Sequence, residues 1–330
     1  MLNDTILITG GAGYIGSHAN LAFEEAGYQV VVLDDLSTGV RSSVPSHISF
    51  VEGDAGDEEF VVSVINDHEV SAVVHFAGSI VVPESVANPL KYYRNNTRVS
   101  QSLIRACIDT GVRDFIFSST AAVYGIPKNI PVTEDTQTAP INPYGTSKLM
   151  TEWILRDCAA AYELRYAALR YFNVAGADPK ERTGQSTPNA THLIKVACQV
   201  ALGGREYIEV FGEDYDTPDG TCIRDYIHVS DLVDAHVKAL EYVRAKDENL
   251  VLNCAYGHGF SVREILAAVQ AEVGHDIDIR SAPRRAGDPP ALVADARRIQ
   301  DRLGWTPSCD DIEFIVRTAL NWERKLNEAG

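Results

Sequence analysis

A tyrosine and a lysine stand four residues apart in Tyr144-Gly145-Thr146-Ser147-Lys148. On a helix that spacing is one turn, so both side chains share a face. A phenol ordinarily ionises near pH ~10 and is no base at neutral pH. An ammonium one turn away stabilises phenolate and turns the tyrosine into a general base. Alone, this pattern equally describes a surface helix pair. A second constellation changes that balance. Thr9-Gly10-Gly11-Ala12-Gly13-Tyr14-Ile15-Gly16 satisfies GxGxxG through Gly11, Gly13 and Gly16, and GxxGxxG through Gly10, Gly13 and Gly16. Without β-carbons the turn can be tight and its backbone can approach a pyrophosphate, with a helix N-terminus supplying amide donors. Asp34 follows about 20 residues on, where an acid can bond the adenosine ribose hydroxyls. A carboxylate there repels a 2′-phosphate, which favours NAD over NADP; the plainer reading of Asp34-Asp35 is a strand-end turn. An oxidised nicotinamide ring beside Tyr144 would add positive charge and lower its pKa further.

Such groups need a scaffold. Strand-like runs occur at Thr5–Thr9, Gln29–Asp34, Ile48–Glu52, Ala72–His75, Asp114–Ser119 and Arg165–Arg170, and helix-length segments separate most of them. The alternation predicts an α/β fold: a Rossmann-type doubly wound parallel sheet, binding its ligand at the carboxyl ends of the strands. From about residue 173 the pattern changes. Pro and Gly cluster at Thr183–Pro188, Asp214–Gly220 and Arg284–Pro290. The expected division is a dinucleotide-binding domain over 1–172 and a smaller α+β substrate-binding domain over 173–330, with a segment after Val229 free to return to the main sheet.

Composition narrows the partners. The 330 residues carry a formal charge of −17, which argues against nucleic acid or an anionic membrane. An acidic chain that binds an anionic ligand must gather its basic residues locally. The six cysteines form no CxxC and the nine histidines no HExxH, so neither a disulfide framework nor a metal site is expected. With no apolar run long enough for a bilayer and no signal-like start, the expectation is a complete cytoplasmic chain.

The chain resembles the extended short-chain dehydrogenases and, within them, the UDP-glucose 4-epimerases. The resemblance runs nearly end to end. It is carried by the glycine turn through Ser17-His18, by His75-Phe76-Ala77-Gly78, Phe115-Ile116-Phe117-Ser118-Ser119 and Val123-Tyr124-Gly125, and by Asn142-Pro143-Tyr144-Gly145 with Ser147-Lys148-Leu149-Met150. It continues in Leu169-Arg170-Tyr171-Phe172-Asn173, Asp219-Gly220-Thr221, Arg224-Asp225-Tyr226-Ile227-His228-Val229 and Gly287-Asp288. The resemblance implies that Tyr144 is the base, that Lys148 lowers its pKa and holds the nicotinamide ribose, and that Thr120 bonds the reacting sugar oxygen. It implies cofactor positions at Gly10, Gly13, Tyr14, Ile15, Gly16, Asp34, Asp54, Ala55, Phe76, Ala77, Gly78, Asn95, Lys148 and Phe172. It implies UDP-sugar positions at Thr120, Tyr144, Asn173, His192, Leu193, Phe211, Arg224, Tyr226, Arg285, Asp288 and Leu292. Arg224 and Arg285 would be the local basic pair for a pyrophosphate. Three residues depart from the pattern: Ile80 replaces a cofactor-contacting lysine, His192 an asparagine, and Leu292 a bulky tyrosine beside the sugar.

Related 4,6-dehydratases carry Thr-Asp-Glu where this chain has Thr120-Ala121-Ala122, and elimination needs that extra acid and base. Two alanines leave reversible oxidation at one carbon. The implied reaction is C4 epimerisation of a UDP-hexose through a 4-keto sugar, extending to N-acetylhexosamines if Leu292 leaves room. A UDP-pentose or UDP-uronate 4-epimerase and a non-catalytic dinucleotide sensor are the alternatives; sensors generally lack the tyrosine. The resemblance further implies a homodimer sharing helices at about 89–109 and 142–162.

Overall fold

The computed structural model describes residues 4–187, 190–285 and 288–329. Pro188 and Gly287, named above in two loops and one motif, lie outside them. In chain order the first half runs β1 (Thr5–Thr9), α1 (Tyr14–Glu25), β2 (Gln29–Asp34), β3 (Ser49–Glu52), α2 (Glu58–Asp67), β4 (Val70–His75), α3 (Val82–Ala87) and α4 (Pro89–Tyr92). A π-helical segment, Tyr93–Arg98, leads from α4 into α5 (Val99–Thr110). Then come β5 (Asp114–Thr120), α6 (Pro143–Ala161) and β6 (Arg165–Tyr171). The second half runs β7 (Asn173–Ala175), α7 (Leu193–Ala201), β8 (Ile208–Phe211), β9 (Ile223–Arg224), β10 (Tyr226–His228), α8 (Val229–Lys246) and β11 (Leu250–Cys254). It ends with β12 (Phe260–Ser261), α9 (Val262–Val273), β13 (Ile279–Ala282), β14 (Ala291–Leu292), α10 (Arg297–Leu303) and α11 (Ile312–Ala329).

Seven strands form one sheet in the order β11-β6-β5-β4-β1-β2-β3. All its pairings are parallel. A parallel sheet must be covered on both faces, and the strands read accordingly as near-continuous apolar runs. Alternation along each strand divides the core in two. Ile6, Ile8, Val32 and Val74 pack on one face with Phe23 of α1 and Leu240 of α8. Leu7, Val31, Leu33, Val73 and Phe117 pack on the other with Ile65 of α2, Leu103 of α5 and Leu155 of α6. Strand order reverses at β1, between β4 and β2, and the carboxyl ends of these strands are where such folds bind ligands.

The seventh strand and its covering helix come from the second half of the chain. β11 pairs with β6 from Leu250↔Ala167 to Cys254↔Tyr171, and α8 packs on α1, β5 and β6. The remaining elements form three small sheets, β10-β7, β12-β9-β14 and β13-β8, with α7, α9 and α11 packed on one another. Ile194, Val210, Leu266 and Val316 from this region join the core that covers the first face of the main sheet. The two regions therefore share apolar packing instead of meeting across a solvated seam.

A buried ion pair ties α6 to β6. Arg170 donates to both oxygens of Glu152, Nε to Oε1 at 2.9 Å and Nη2 to Oε2 at 2.6 Å. The same Oε1 accepts Ser119 Oγ at 2.5 Å. Arg170 also donates to the Tyr124 hydroxyl, which donates to Asn253 Oδ1 at 2.6 Å. Truncating either ion would strand the other in the interior, a loss on the order of 3–5 kcal/mol. The network locks the end of β5 against α6, β6 and β11, and so sets the frame for Thr120 and Tyr144.

Candidate active site

The turn after β1 is as tight as its glycines permit. Gly10 has φ +72°, and a β-carbon on it would lie 2.6 Å from the Ala77 amide nitrogen. A β-carbon on Gly16 would lie 2.1 Å from the Gly10 carbonyl oxygen, so α1 can sit this close to the turn only with glycine there. Gly13 begins α1 and contributes no side-chain cap. The open amides at that helix end are the donors a pyrophosphate requires, and the residues present fit a dinucleotide. Asp34 closes the turn from the side. Its two oxygens accept the Ala12 and Leu36 amides, each at 2.9 Å. Burial raises its pKa, and these two hydrogen bonds partly offset that. The turn reading and the ribose reading of Asp34 thus describe one carboxylate with lone pairs to spare.

The expected cofactor residues differ in what they present. Tyr14 donates its hydroxyl to the Gly176 carbonyl at 2.6 Å, and Tyr14 and Ile15 pack against the core, so their backbone is what faces the turn. Ala55 is buried in the opposite core, and Asp54 Oδ1 accepts the Gly56 amide at 2.7 Å. The amides of Phe76 and Ala77 both donate to the Thr9 carbonyl, which brings the end of β4 alongside the glycine turn. Gly78 lies against Asn96 and Lys148. Asn95 donates to Ser79 Oγ at 3.1 Å. Its neighbour Asn96, not singled out by the sequence, accepts the Ser79 amide and donates to Ser147 Oγ. Both asparagines sit on the π-helical segment, an irregularity of the kind that often marks functional sites. Ile80, half exposed at 49%, follows directly.

Thr120 ends β5, and Tyr144 lies in the first turn of α6, which Asn142 caps by accepting the Gly145 amide at 2.8 Å. Burial raises the Tyr144 pKa and a hydrogen bond with Thr120 lowers it. Lys148 is 3% exposed, donates to the Ser118 carbonyl at 2.9 Å and lies 5.0 Å from the centre of the Phe117 ring. Burial pushes its pKa down to about 8. Sequence spacing expects Lys148 to act on Tyr144; here the downward pull on Tyr144 comes from Thr120, and Lys148 keeps two donors beyond the one given to Ser118.

The expected UDP-sugar residues fall into two adjoining groups. Asn173, His192, Leu193 and Tyr226 line one cavity, together with Gln185, Lys195, Trp322 and Glu323. The parallel register Tyr226↔Asn173 of β10 and β7 places two of them side by side. In the second group, the Arg285 guanidinium lies 3.8 Å from the centre of the Phe211 ring, and Arg224 lies 3.6 Å from the Asp288 carboxylate. Leu292 pairs with Arg224 in β14 and β9. Leu292 and Phe172 both pack against Ala121, Val123, Tyr124, Val132 and Leu149, beside the Thr120 strand end. Sequence reasoning missed Gln185, Lys195, Trp322 and Glu323. None belongs to a motif; Lys195 and Glu323 meet as a buried ion pair across most of the substrate half, and only the helical spacing of α11 hinted at a covered face. Among the described residues no group of three or more His, Cys, Asp or Glu could hold a metal ion, and no helix is long and apolar enough to cross a membrane.

Fold and site together define a dinucleotide-binding α/β protein of the doubly wound type. The chain belongs to the NAD dependent epimerase/dehydratase family, whose model matches residues 6–255. It is 58% identical to a UDP-glucose 4-epimerase of Azospirillum brasilense over 98% of this chain and 93% of that one. Its fold superposes with TM-score 0.94 on a UDP-glucose 4-epimerase from Brucella ovis in complex with NAD, at 46% identity, covering 96% of this chain and 98% of that one. A UDP-Glc/GlcNAc 4-epimerase from Campylobacter jejuni is similar at TM-score 0.85 and 48% identity, covering 98% and 99% of the two chains.

Lys148 should keep its charge below pH about 8 and lose it above. An NMR titration of the lysine ε-carbons is expected to show one midpoint near that value, absent from Lys148→Met. If every lysine titrates in the ordinary range near ~10, the burial argument for Lys148 is wrong.

Proposed function

We propose that the protein carries out the NAD-dependent, reversible C4 epimerisation of UDP-glucose and UDP-galactose. One observation separates this from the other reactions of its family: beside the Thr120–Tyr144 pair stand Ala121 and Ala122, which can neither give nor take a proton. Elimination or decarboxylation has no further acid or base there. The names of the relatives support the same reaction.

Tyr144 takes the proton of the sugar 4-hydroxyl, and Thr120 hydrogen-bonds that oxygen and steadies the phenolate. Lys148, anchored to Ser118, offers its remaining donors to the cofactor ribose and adds positive charge over the Phe117 ring. The glycine turn and Asp34 would hold NAD, which would supply the hydride acceptor and donor for C4. Asp34 sets the preference for NAD by bonding the ribose hydroxyls and repelling a 2′-phosphate. Ile80 offers no ammonium to the cofactor, so added NAD is expected to be needed for full activity. The 4-keto sugar must turn over between the two hydride transfers, so it is held loosely while UDP is held firmly. That division matches the placement of the polar residues: Asn173, His192 and Tyr226 in one cavity, Arg224, Arg285 and Asp288 beside it.

We take residues 1–172 with α8 and β11 as the cofactor unit and the remainder as the substrate unit. Six unpaired cysteines, four of them buried, fit a reducing compartment, and we place the protein in the cytoplasm. The exposed Leu90 on α4 and Trp153 on α6 support a homodimer through these helices. A monomeric mass by light scattering at micromolar concentration would contradict it.

Two substitutions test the chemistry. Tyr144→Phe removes the base and little else; kcat is expected to fall at least ~100-fold with UDP affinity nearly unchanged. Near-normal turnover would remove Tyr144 from its role. Leu292 is only partly buried beside the Ala121 segment and carries no ring, which leaves space next to the sugar. UDP-GlcNAc and UDP-GalNAc should therefore be interconverted as well, as the name of the Campylobacter jejuni relative states for GlcNAc. Leu292→Tyr is expected to lower the N-acetyl activity about tenfold more than the hexose activity. Equal loss of both, or no N-acetyl turnover in the wild type, would overturn the pocket argument.

A further inference from the structure

His192 precedes α7 and shares its cavity with Asn173 and Tyr226, but its ring does not cap that helix. Its Nδ1 lies 2.8 Å from the side-chain nitrogen of Gln185. With the Gln185 amide nitrogen turned toward the ring, Nδ1 accepts and the single ring proton sits on Nε2. Among the described residues Nε2 bonds no protein group. Gln185 is itself held in place. Its main-chain carbonyl accepts Lys195 Nζ at 2.7 Å, and Lys195 is paired with Glu323. All three residues are more than nine-tenths buried, with 8%, 7% and 4% exposure. The Glu323–Lys195 pair thus anchors the main chain of Gln185, whose side chain meets one nitrogen of His192. The other nitrogen remains for the cavity, where the first-turn amides of α7 have no side-chain cap.

We propose that Gln185 is a positioning residue: it locks His192 in the Nε2–H tautomer, so that the ring donates an uncharged hydrogen bond to a diphosphate oxygen of the nucleotide at the N-terminus of α7. The opposite tautomer would present a lone pair to an anionic oxygen, and the contact would turn repulsive. Burial lowers the pKa of the ring, which favours the neutral donor. The proposal rests on the reading of this cavity as the UDP site.

The test begins with the wild-type protein, loaded with NAD, saturated with UDP and labelled with 15N-histidine. The expected spectrum of His192 has a protonated Nε2 and an unprotonated Nδ1; the reverse tautomer or a doubly protonated ring overturns the proposal. Calorimetry on variants supplies a second readout. Gln185→Leu should weaken UDP binding five- to tenfold and raise KM by the same factor, with kcat changed less than twofold. Uridine, which lacks the diphosphate, should bind as it does to the wild type. In a His192→Asn background the same leucine substitution should cost less than twofold, because an asparagine amide donates whatever its neighbour. Equal losses in both backgrounds, or an equal loss for uridine, would show that Gln185 acts by packing or by direct contact and would overturn the lock. Failure of the wild type to bind UDP at all would instead remove the nucleotide reading on which the lock depends.

Discussion

The site depends on one constraint: the N-terminus of α1 must lie within contact distance of the β1 turn with its amides left open. Gly16 makes the approach possible, since a β-carbon there would sit 2.1 Å from the Gly10 carbonyl oxygen. Gly13 leaves the helix without a side-chain cap, and the Asp34 carboxylate holds the intervening Ala12 amide. Backbone donors and a helix dipole then converge on one point at the carboxyl edge of the sheet. An overall charge of −17 opposes anion binding at long range. Fixed backbone amides overcome this locally because they are neutral, close and already oriented.

From that point Thr120 and Tyr144 are positioned by the end of β5 and the start of α6. β5 delivers Thr120 and the Ser118 carbonyl, and α6 delivers Tyr144 and Lys148. Burial works against both titrating groups, raising the phenol and lowering the ammonium. Hydrogen bonds with Thr120 and Ser118 make the arrangement workable. Beneath it, the Glu152–Arg170 pair fixes the spacing between α6 and β6 with several hydrogen bonds. Such a pair adds little net stability over apolar packing, so its contribution is the precision of the frame. The substrate half adds a contrast: polar side chains gather in the cavity of Asn173, His192 and Tyr226, while Leu292 and Phe172 pack on the apolar cluster of Ala121, Val123 and Leu149.

Much of this was legible in the sequence because the signals were local. The six expected strands lie where the apolar runs are, to within one or two residues, and the expected helix around Tyr144 runs from Pro143 to Ala161. The glycine turn and Asp34 sit together as their spacing required. Lys148 was only half readable. Its helical spacing from Tyr144 is local, but its hydrogen bond to Ser118 and its burial over Phe117 depend on how α6 docks against β5. Tyr14, Ile15 and Ala55 matched positions of a pattern, yet their side chains serve the core.

By itself the sequence determined what short-range chemistry can settle: element type from periodicity, the tight turn from glycine, a tyrosine and a lysine one helical turn apart, and two alanines with no acid or base after Thr120. Tertiary structure decided whatever needs residues distant along the chain to meet. It brought β11 back beside β6, set Leu292 against the Ala121 segment, stacked Arg285 on Phe211, and brought Glu323, Lys195, Gln185 and His192 together. The physical reason is common to all four. Periodicity and turn chemistry are carried by neighbours in the chain. Contacts between distant residues follow from how covered sheet faces and helix faces pack, and no local spacing records that.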